Sequence, residues 1–304
     1  MAPLIIYVEY TTTVFFICTL ITALPSVFQE RKIWKVRGVP DLTLWGLFKV
    51  YWFNVFWMNL TMLGSIWICF YAILLRQTSR QALSNKVEGA IGKLLLQIFI
   101  GPVKVVGSEH IPKDPDAKPA PVYIANHASQ LDVAVVYHID RRFKWIAKKS
   151  VTFVPGVGQL LRLGDHVFID RGRGSTKNKA SIGNLYAQSN ASIQAGIPMF
   201  FFPQGTRRMV DRLPFKDGAF KVAAESLSDV VPISCQHSLW AWNSAYPFQR
   251  KPDNEPAIIL TIHKPIKSKD FARKGSEKDV DLEALKSKCF EVIYSGLPDY
   301  RKDN

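Results

Sequence analysis

The sequence predicts an α/β fold in which a largely parallel central sheet is flanked by helices, preceded by N-terminal transmembrane or membrane-embedded helices. Two observations carry this expectation. Short apolar or β-branched runs alternate with helix-like segments through the middle of the chain, the pattern of parallel strands joined by helical crossovers. The front of the chain holds two long apolar runs, in a protein of 304 residues whose mean hydropathy is +0.03 although its formal net charge is +14. With 48% hydrophobic and 12% aromatic residues, general disorder is excluded.

The apolar runs come first. Leu4 to Leu24 is apolar or hydroxylated apart from Glu9, and Val50 to Leu75 contains no charged residue. At 1.5 Å per residue these make helices of roughly 31 and 39 Å, long enough for a hydrocarbon core of about 30 Å. Trp52, Trp57 and Trp67, with Tyr51 and Tyr71, suit an interfacial belt near the ends of the second run. The first run has the length of a signal peptide but lacks a basic segment before it, and a second apolar run follows. Glu9 lies near its start, where a charge costs less than the roughly 2.5 kcal/mol expected at a helix centre. The pair forms either a spanning hairpin or two helices lying shallowly in one leaflet. Five Lys/Arg lie between the runs and four follow the second, so the positive-inside rule gives no orientation.

Residues 1–75 are therefore read as a membrane anchor (helices about 4–24 and 50–75), and 76–101 as a connecting amphipathic region with a short apolar stretch, Leu94 to Ile100. A core domain spans 102–266. Its strands are expected at Val103–Val106, Val122–Ala125, Lys144–Ala147, His166–Ile169, Met199–Pro203, Val230–Ile233 and Ile258–His263. Its helices are expected at Gln130–Ile139, Ser175–Gln194 and Gly218–Ser228. The highly charged tail 267–304 carries one amphipathic helix, about Val280 to Leu297, read as a solvated cover rather than a site.

Charge and cysteine usage narrow the function classes. Residues 1–75 hold five Lys/Arg and three Asp/Glu, a net of +2, so +12 of the total +14 falls on residues 76–304. A basic domain tethered to a membrane is drawn to anionic lipids and anionic substrates. Nucleic acid is not the expected partner, because no recognised binding motif accompanies the charge. Cys18, Cys69, Cys235 and Cys289 form no C-x-x-C pair, zinc spacing or disulfide framework and read as reduced, mostly buried thiols. Asn59-Leu60-Thr61 matches the glycosylation pattern but lies inside an apolar helix and is discounted.

The chemistry gathers at strand ends. In Asn126-His127-Ala128-Ser129-Gln130-Leu131-Asp132, the strand Val122–Ala125 precedes a turn and a helix start, where open α/β sheets place ligands. Such a turn folds Asp132 back toward one nitrogen of His127, fixing the tautomer and leaving the other nitrogen to take a proton from a hydroxyl. No G-x-S-x-G elbow is present, which argues for direct attack by a substrate hydroxyl over a covalent acyl-enzyme. Val167-Phe168-Ile169-Asp170-Arg171 ends a second strand with a cation. Phe201-Phe202-Pro203-Gln204-Gly205-Thr206-Arg207-Arg208 ends a third with a glycine turn, a hydroxyl and two guanidinium groups, and Val231-Pro232-Ile233 closes a fourth. Together they suit a phosphate-bearing alcohol, since arginine grips phosphate at two points. The remaining histidines, His110, His138, His166, His237 and His263, read as structural or surface residues.

These four blocks, in this order and spacing, resemble the glycerolipid acyltransferase family, specifically the 1-acyl-sn-glycerol-3-phosphate (lysophosphatidic acid) acyltransferases. The likeness extends through Ile146-Ala147-Lys148-Lys149-Ser150, Val154-Pro155-Gly156-Val157-Gly158 and Pro214-Phe215-Lys216-Asp217-Gly218-Ala219-Phe220, and covers roughly Pro102 to Ile266. The resemblance implies transfer of an acyl chain from acyl-CoA to the sn-2 hydroxyl of lysophosphatidic acid, giving phosphatidic acid and CoA. It makes His127 the general base and Asp132 its orienting partner, with Asn126 holding the turn. Arg171, Gly205, Thr206 and Arg207 then bind the glycerol phosphate, with Lys148 as a further cation. Asp170 either orients a backbone turn or touches substrate, and Pro232 belongs to a block linked to the acyl donor or to site shape. Acyl-CoA is a co-substrate, and neither a metal, a cofactor nor an obligate protein partner is expected. Membrane lipids supply the setting, with the endoplasmic reticulum and a cytosol-facing site as the expected location.

One position departs from the family pattern, which usually has glutamate where this chain has Gln204. The amide removes a negative charge beside Arg207. Two alternatives accompany the leading reading: an acyltransferase for another lysophospholipid or glycerol 3-phosphate, and a catalytically silent membrane protein that binds anionic lipid.

Overall fold

The computed structural model of the chain describes residues 44–74, 80–170, 175–209, 211–238, 240–241, 256–273 and 279–298, with isolated positions between 5 and 17. Of the first expected apolar helix, residues 5–6, 9–10, 12–14 and 16–17 are helical, and the rest of 4–24 lies outside the described residues.

The second apolar run forms helix α1 (Leu44–Leu74), which begins before the run itself because Lys49 interrupts the apolar sequence without breaking the helix. Its buried stripe, Val50, Phe53, Asn54, Met58, Thr61, Ser65 and Ile68, follows helical three- and four-residue spacing and packs on α2 (Arg80–Phe99) and α4 (Val157–Leu163). Polar Asn54, Thr61 and Ser65 face inward, whereas Leu44, Phe48, Leu63, Ile66, Phe70 and Ile73 are 51–86% exposed. Apolar side chains therefore lie on both the buried and the outward face, unlike the one-sided stripe of a soluble amphipathic helix. Among the described residues, Leu44–Ile73 is the helix long and apolar enough to cross a membrane. Gly156, at φ +75°, marks the contact with the sheet domain: a Cβ there would stand 2.2 Å from the Met58 carbonyl oxygen on α1.

The sheet has eight strands: β1 (Lys104–Val106), β2 (Val122–Ala125), β3 (Lys144–Lys148), β4 (Val167–Ile169), β5 (Met199–Phe201), β6 (Asp229–His237), β7 (Ile258–Ile262) and β8 (Ile266–Lys267). Their order is β1-β7-β6-β2-β5-β3-β4, with β8 also on β6. Pairings are parallel except for β6 with β7 and β6 with β8. The central strands are apolar throughout because both sheet faces are covered; every residue of β2 and β5 is buried.

Alternation along those strands sorts two cores. Tyr123, Ala125 and Phe200 face a cluster with Val50, Phe53 and Leu95 from α1 and α2. Val122, Ile124, Met199 and Phe201 face the opposite cluster, shared with Phe220 on α6 (Gly218–Ser226) and Leu285, Cys289 and Ile293 on α7 (Leu282–Ser295). The tail helix is therefore part of the core and more than a solvated cover. Helix α5 (Ser175–Gln194) lies on the same side and packs on α6.

Several elements differ from expectation, among them β8, which was not expected, and β5, which ends at Phe201. Helix α3 (Asp132–Val135) starts two residues late, running on into a 3₁₀ turn through Ile139. Its first turn is taken up by side-chain bonds, with Leu131 N–H donating to Ser129 Oγ at 3.0 Å and the N–H groups of Ala128 and Ser129 donating to Asp132. Strand β6 runs four residues beyond Ile233, because antiparallel β7 pairs with it from Ile233 to His237. Helix α4 has no counterpart among the expected helices; its start falls in the Val154–Gly158 block quoted for the resemblance.

A buried polar network ties α2 to the sheet. Tyr137 donates its hydroxyl to Glu88 Oε2, Ser84 donates to Oε1 at 3.1 Å, and His166 Nε2 lies 3.1 Å from both oxygens. The backbone N–H of Trp145 donates to His166 Nδ1 at 2.8 Å, so the ring proton sits on Nε2, toward the carboxylate. Trp145 Nε1 donates to the Tyr137 oxygen at 2.9 Å. Burial and the Glu88 charge together push the Tyr137 hydroxyl well above its ordinary pKa.

Candidate active site

His127 follows β2 by two residues, so its side chain continues the face of Tyr123 and Ala125, and Phe202 continues that of Phe200 on neighbouring β5. The two rings meet: imidazole and phenyl stack with centroids 4.0 Å apart and planes 11° from parallel. The other face of this arrangement is Trp145, stacked on Phe202 at 5.6 Å.

The loop after β5 also holds the His127 backbone. The His127 N–H donates to Gln204 Oε1 at 3.0 Å, and the Arg208 N–H donates to the His127 carbonyl at 2.7 Å. Ring face, donor and acceptor of one residue are thus fixed by Phe202, Gln204 and Arg208.

Asp132 folds back as the spacing suggests. Its Oδ2 lies 2.7 Å from His127 Nδ1 and accepts from the N–H groups of Ala128 at 2.7 Å and Ser129 at 2.9 Å. Its Oδ1 is bonded by His237 Nε2. Burial opposes ionisation of this carboxyl, but the His237 charge and the bonds from both rings win and hold it far below the usual carboxylate range. For His127 burial is the largest influence and lowers its pKa below the ordinary 6.5; Asp132 opposes this, while Arg207 and His237 reinforce it. The imidazole is therefore neutral at neutral pH, with Nδ1 committed to Asp132 and Nε2 left as its basic nitrogen. Asp132 is sealed from solvent, but the His127 side chain keeps 16% of its exposure.

Most of the residues singled out in sequence lie around this pair. Asn126 is buried and clamps β6, donating to the Cys235 carbonyl at 2.9 Å and accepting its N–H at 2.7 Å. Gln204 is buried and uses both ends of its amide: Oε1 on His127, Nε2 donating to the Asp211 carbonyl at 3.2 Å. Gly205 turns the loop at φ +71°, where a Cβ would stand 2.7 Å from Lys216 Nζ. Thr206 is exposed and Arg207 half-buried, its charge felt by His127. Pro232 is buried in β6 opposite Ile124, between the stretches paired to β7 and β8, where its missing N–H interrupts no ladder bond.

Other residues lie farther off. Lys148 ends β3, two strands from β2, and Asp170 follows β4, three strands away. The backbone N–H of Asp170 donates to Ser181 Oγ at 3.0 Å and its carboxylate lies 3.9 Å from Lys149 Nζ. Lys149, Arg162, Asp170 and Ser181 line a surface cleft there. Arg171 lies outside the described residues.

The sequence reading missed His237, assigned to structure or surface. The signal was absent because its link to Asp132 spans 105 residues and depends on the extension of β6. Cys235, two residues before it, is buried, and burial, reinforced by the Asp132 charge, pushes its thiol well above the ordinary value, which disfavours the thiolate.

Comparison with known proteins agrees with this architecture. Residues 102–236 match the family model described as Acyltransferase. A 1-acyl-sn-glycerol-3-phosphate acyltransferase of Chlamydomonas reinhardtii is 34% identical over 166 residues, 54% of this chain and 46% of that protein. The enzyme of that name from Cocos nucifera is 28% identical over 222 residues, 71% of this chain and 67% of its own. A chloroplastic one from Arabidopsis thaliana is 30% identical over 211 residues, 69% of this chain and 55% of its own. The chain spans about half the length of several curated relatives it matches. The crystal structure of the 1-acyl-sn-glycerophosphate acyltransferase PlsC from Thermotoga maritima superimposes with TM-score 0.58 at 22% identity, covering 80% of this chain and 92% of that one, and so shares the fold.

Proposed function

We propose that this chain, whose residues 102–236 match the Acyltransferase family model, moves an acyl group from acyl-CoA to the sn-2 hydroxyl of lysophosphatidic acid. The observation that carries the reading is the His127–Asp132 pair at the carboxyl end of β2, its imidazole neutral, oriented by the carboxylate and beside the cationic loop of Arg207. Relatives named for this reaction support the choice of acceptor.

His127 Nε2 takes the proton of the acceptor hydroxyl as its oxygen attacks the thioester carbonyl carbon. Asp132 stabilises the imidazolium that forms. When the tetrahedral intermediate collapses, the carbon–sulfur bond breaks, the ester remains, and the imidazolium returns its proton to the departing thiolate. The products are phosphatidic acid and CoA, and His127 is neutral again. Arg207, with its guanidinium near the base, holds the phosphate of the acceptor.

The apolar outward face of α1 supports a membrane-embedded enzyme. Its exposed Leu, Ile and Phe side chains match lipid, and α1 packs on the catalytic half through Gly156 and α4. Phe202, stacked on the His127 ring, packs against the core cluster shared with α1 and α2, which suits a substrate drawn from the bilayer. The endoplasmic reticulum membrane, with the site toward the acyl-CoA of the cytosol, is the location we propose.

Mass spectrometry of products, after purified protein is offered mixed lysolipids and acyl-CoAs, tests the reading. Phosphatidic acid as the dominant product supports it; an acylated product from a different acceptor assigns another substrate.

A further inference from the structure

We propose that His237 is a positioning residue for the acyl transfer, holding one oxygen of Asp132 so that the other stays on His127. The inference rests on the reaction proposed above. A carboxylate only accepts, so the proton of the His237–Asp132 bond sits on His237 Nε2. That bond occupies Oδ1, and the remaining donors, His127 Nδ1 and the N–H groups of Ala128 and Ser129, converge on Oδ2. The division of labour fixes rotation of the carboxyl group about its last bond.

The environment makes the contact irreplaceable by water. Both side chains, His237 and Asp132, have no exposure at all. The frame is rigid as well: β7 pairs with β6 up to His237, and Asn126 locks Cys235 to the end of β2 through two bonds. His237 is thus delivered to Asp132 by one strand while His127 is delivered by its neighbour. Loss of the Oδ1 donor frees the carboxylate to turn, and the lock on the Nδ1–H tautomer of His127 weakens. Nε2 is then no longer reliably the unprotonated nitrogen that meets the substrate hydroxyl.

His237→Leu and His237→Gln in the full chain separate this role from simple packing. Gln carries an amide N–H that reaches the same carboxylate oxygen; Leu fills the space without a donor. For Leu, kcat is expected to fall about 10- to 100-fold, the scale of a lost hydrogen bond to a buried charge. KM for lysophosphatidic acid stays within about twofold. Gln recovers most of the rate. In ¹⁵N-histidine NMR of the full chain in detergent, His127 carries its proton on Nδ1 in the wild type and in His237→Gln, and shifts toward the Nε2–H form in His237→Leu. Wild-type kcat in the Leu variant, an unchanged tautomer, or equal losses in Leu and Gln that follow their unfolding temperatures each overturn the proposal. Should the wild type acylate no acceptor, the proposed reaction fails, and the tautomer measurement still decides the role of His237.

Discussion

Gln204 accepts the backbone N–H of His127 with its carbonyl oxygen and donates its amide to the carbonyl of Asp211. The two partners have opposite polarity, and a carboxamide satisfies both. Glutamate at this position keeps the bond to His127 but sets a carboxylate oxygen against the Asp211 carbonyl. Gln204→Glu is therefore expected to cost about 1–3 kcal/mol of stability at pH 8. Burial beside a carbonyl raises the pKa of the new carboxyl above its unfolded value near 4.3, so the penalty shrinks as pH falls and the acid becomes a donor. Unfolding temperatures at pH 8 and pH 5.5 check this: the deficit relative to wild type should be larger at pH 8. The acceptor class should not change.

Arg207 acts on two quantities at once. Its guanidinium holds the acceptor phosphate in the proposed reaction, and its charge lowers the His127 pKa. Arg207→Ala should raise KM for lysophosphatidic acid about tenfold or more, with a smaller effect on kcat. Removing a positive neighbour raises the His127 pKa, so the acid limb of kcat/KM should move to higher pH. A pH–rate profile that does not move, together with an unchanged KM, removes Arg207 from the site.

Glu88 supports a buried cluster that meets the His127 ring through Trp145 and Phe202. Glu88→Ala strands the Tyr137 hydroxyl and the Nε2–H of buried His166. Stability is expected to fall by about 3 kcal/mol, because the loss leaves uncompensated buried donors and separates α2 from the sheet. Denaturant unfolding in detergent measures it; a cost near zero means the network does not couple α2 to the core.

The outward face of α1 is testable without touching the site. Aspartate at Leu63 and Ile66, both well exposed, should add about 2.5–3.5 kcal/mol each if they sit at mid-membrane depth. Vesicle flotation of the double variant should drop while its unfolding temperature holds. Undiminished flotation contradicts lipid contact along this face.

What the sequence revealed was local. The His127–Asp132 pair was legible because five residues and one turn suffice to bring the groups together, and β2 was legible over Val122–Ala125 because a strand covered on both faces is continuously apolar. The helix Ser175–Gln194 was legible in full. Residues joined by tertiary pairing were not. His237 reaches Asp132 only because β7 lengthens β6, and Glu88 finds Tyr137 and His166 only once α2 docks. The polar stripe of α1 was also hidden, since Asn54, Thr61 and Ser65 are sparse in an apolar run and show their common face only when packed. Gln204 was noticed as a departure, but its meaning lies in the Asp211 carbonyl, which no motif reports.

Replacement of the base is the most direct measurement. Purified wild type, His127→Ala and Asp132→Asn are compared for phosphatidic acid formed from acyl-CoA and lysophosphatidic acid, at matched folded fraction. Both variants should lose kcat by about 10³-fold or more, the scale seen when a buried carboxylate no longer fixes its histidine. Transfer by His127→Ala at the wild-type rate would contradict the account at its centre.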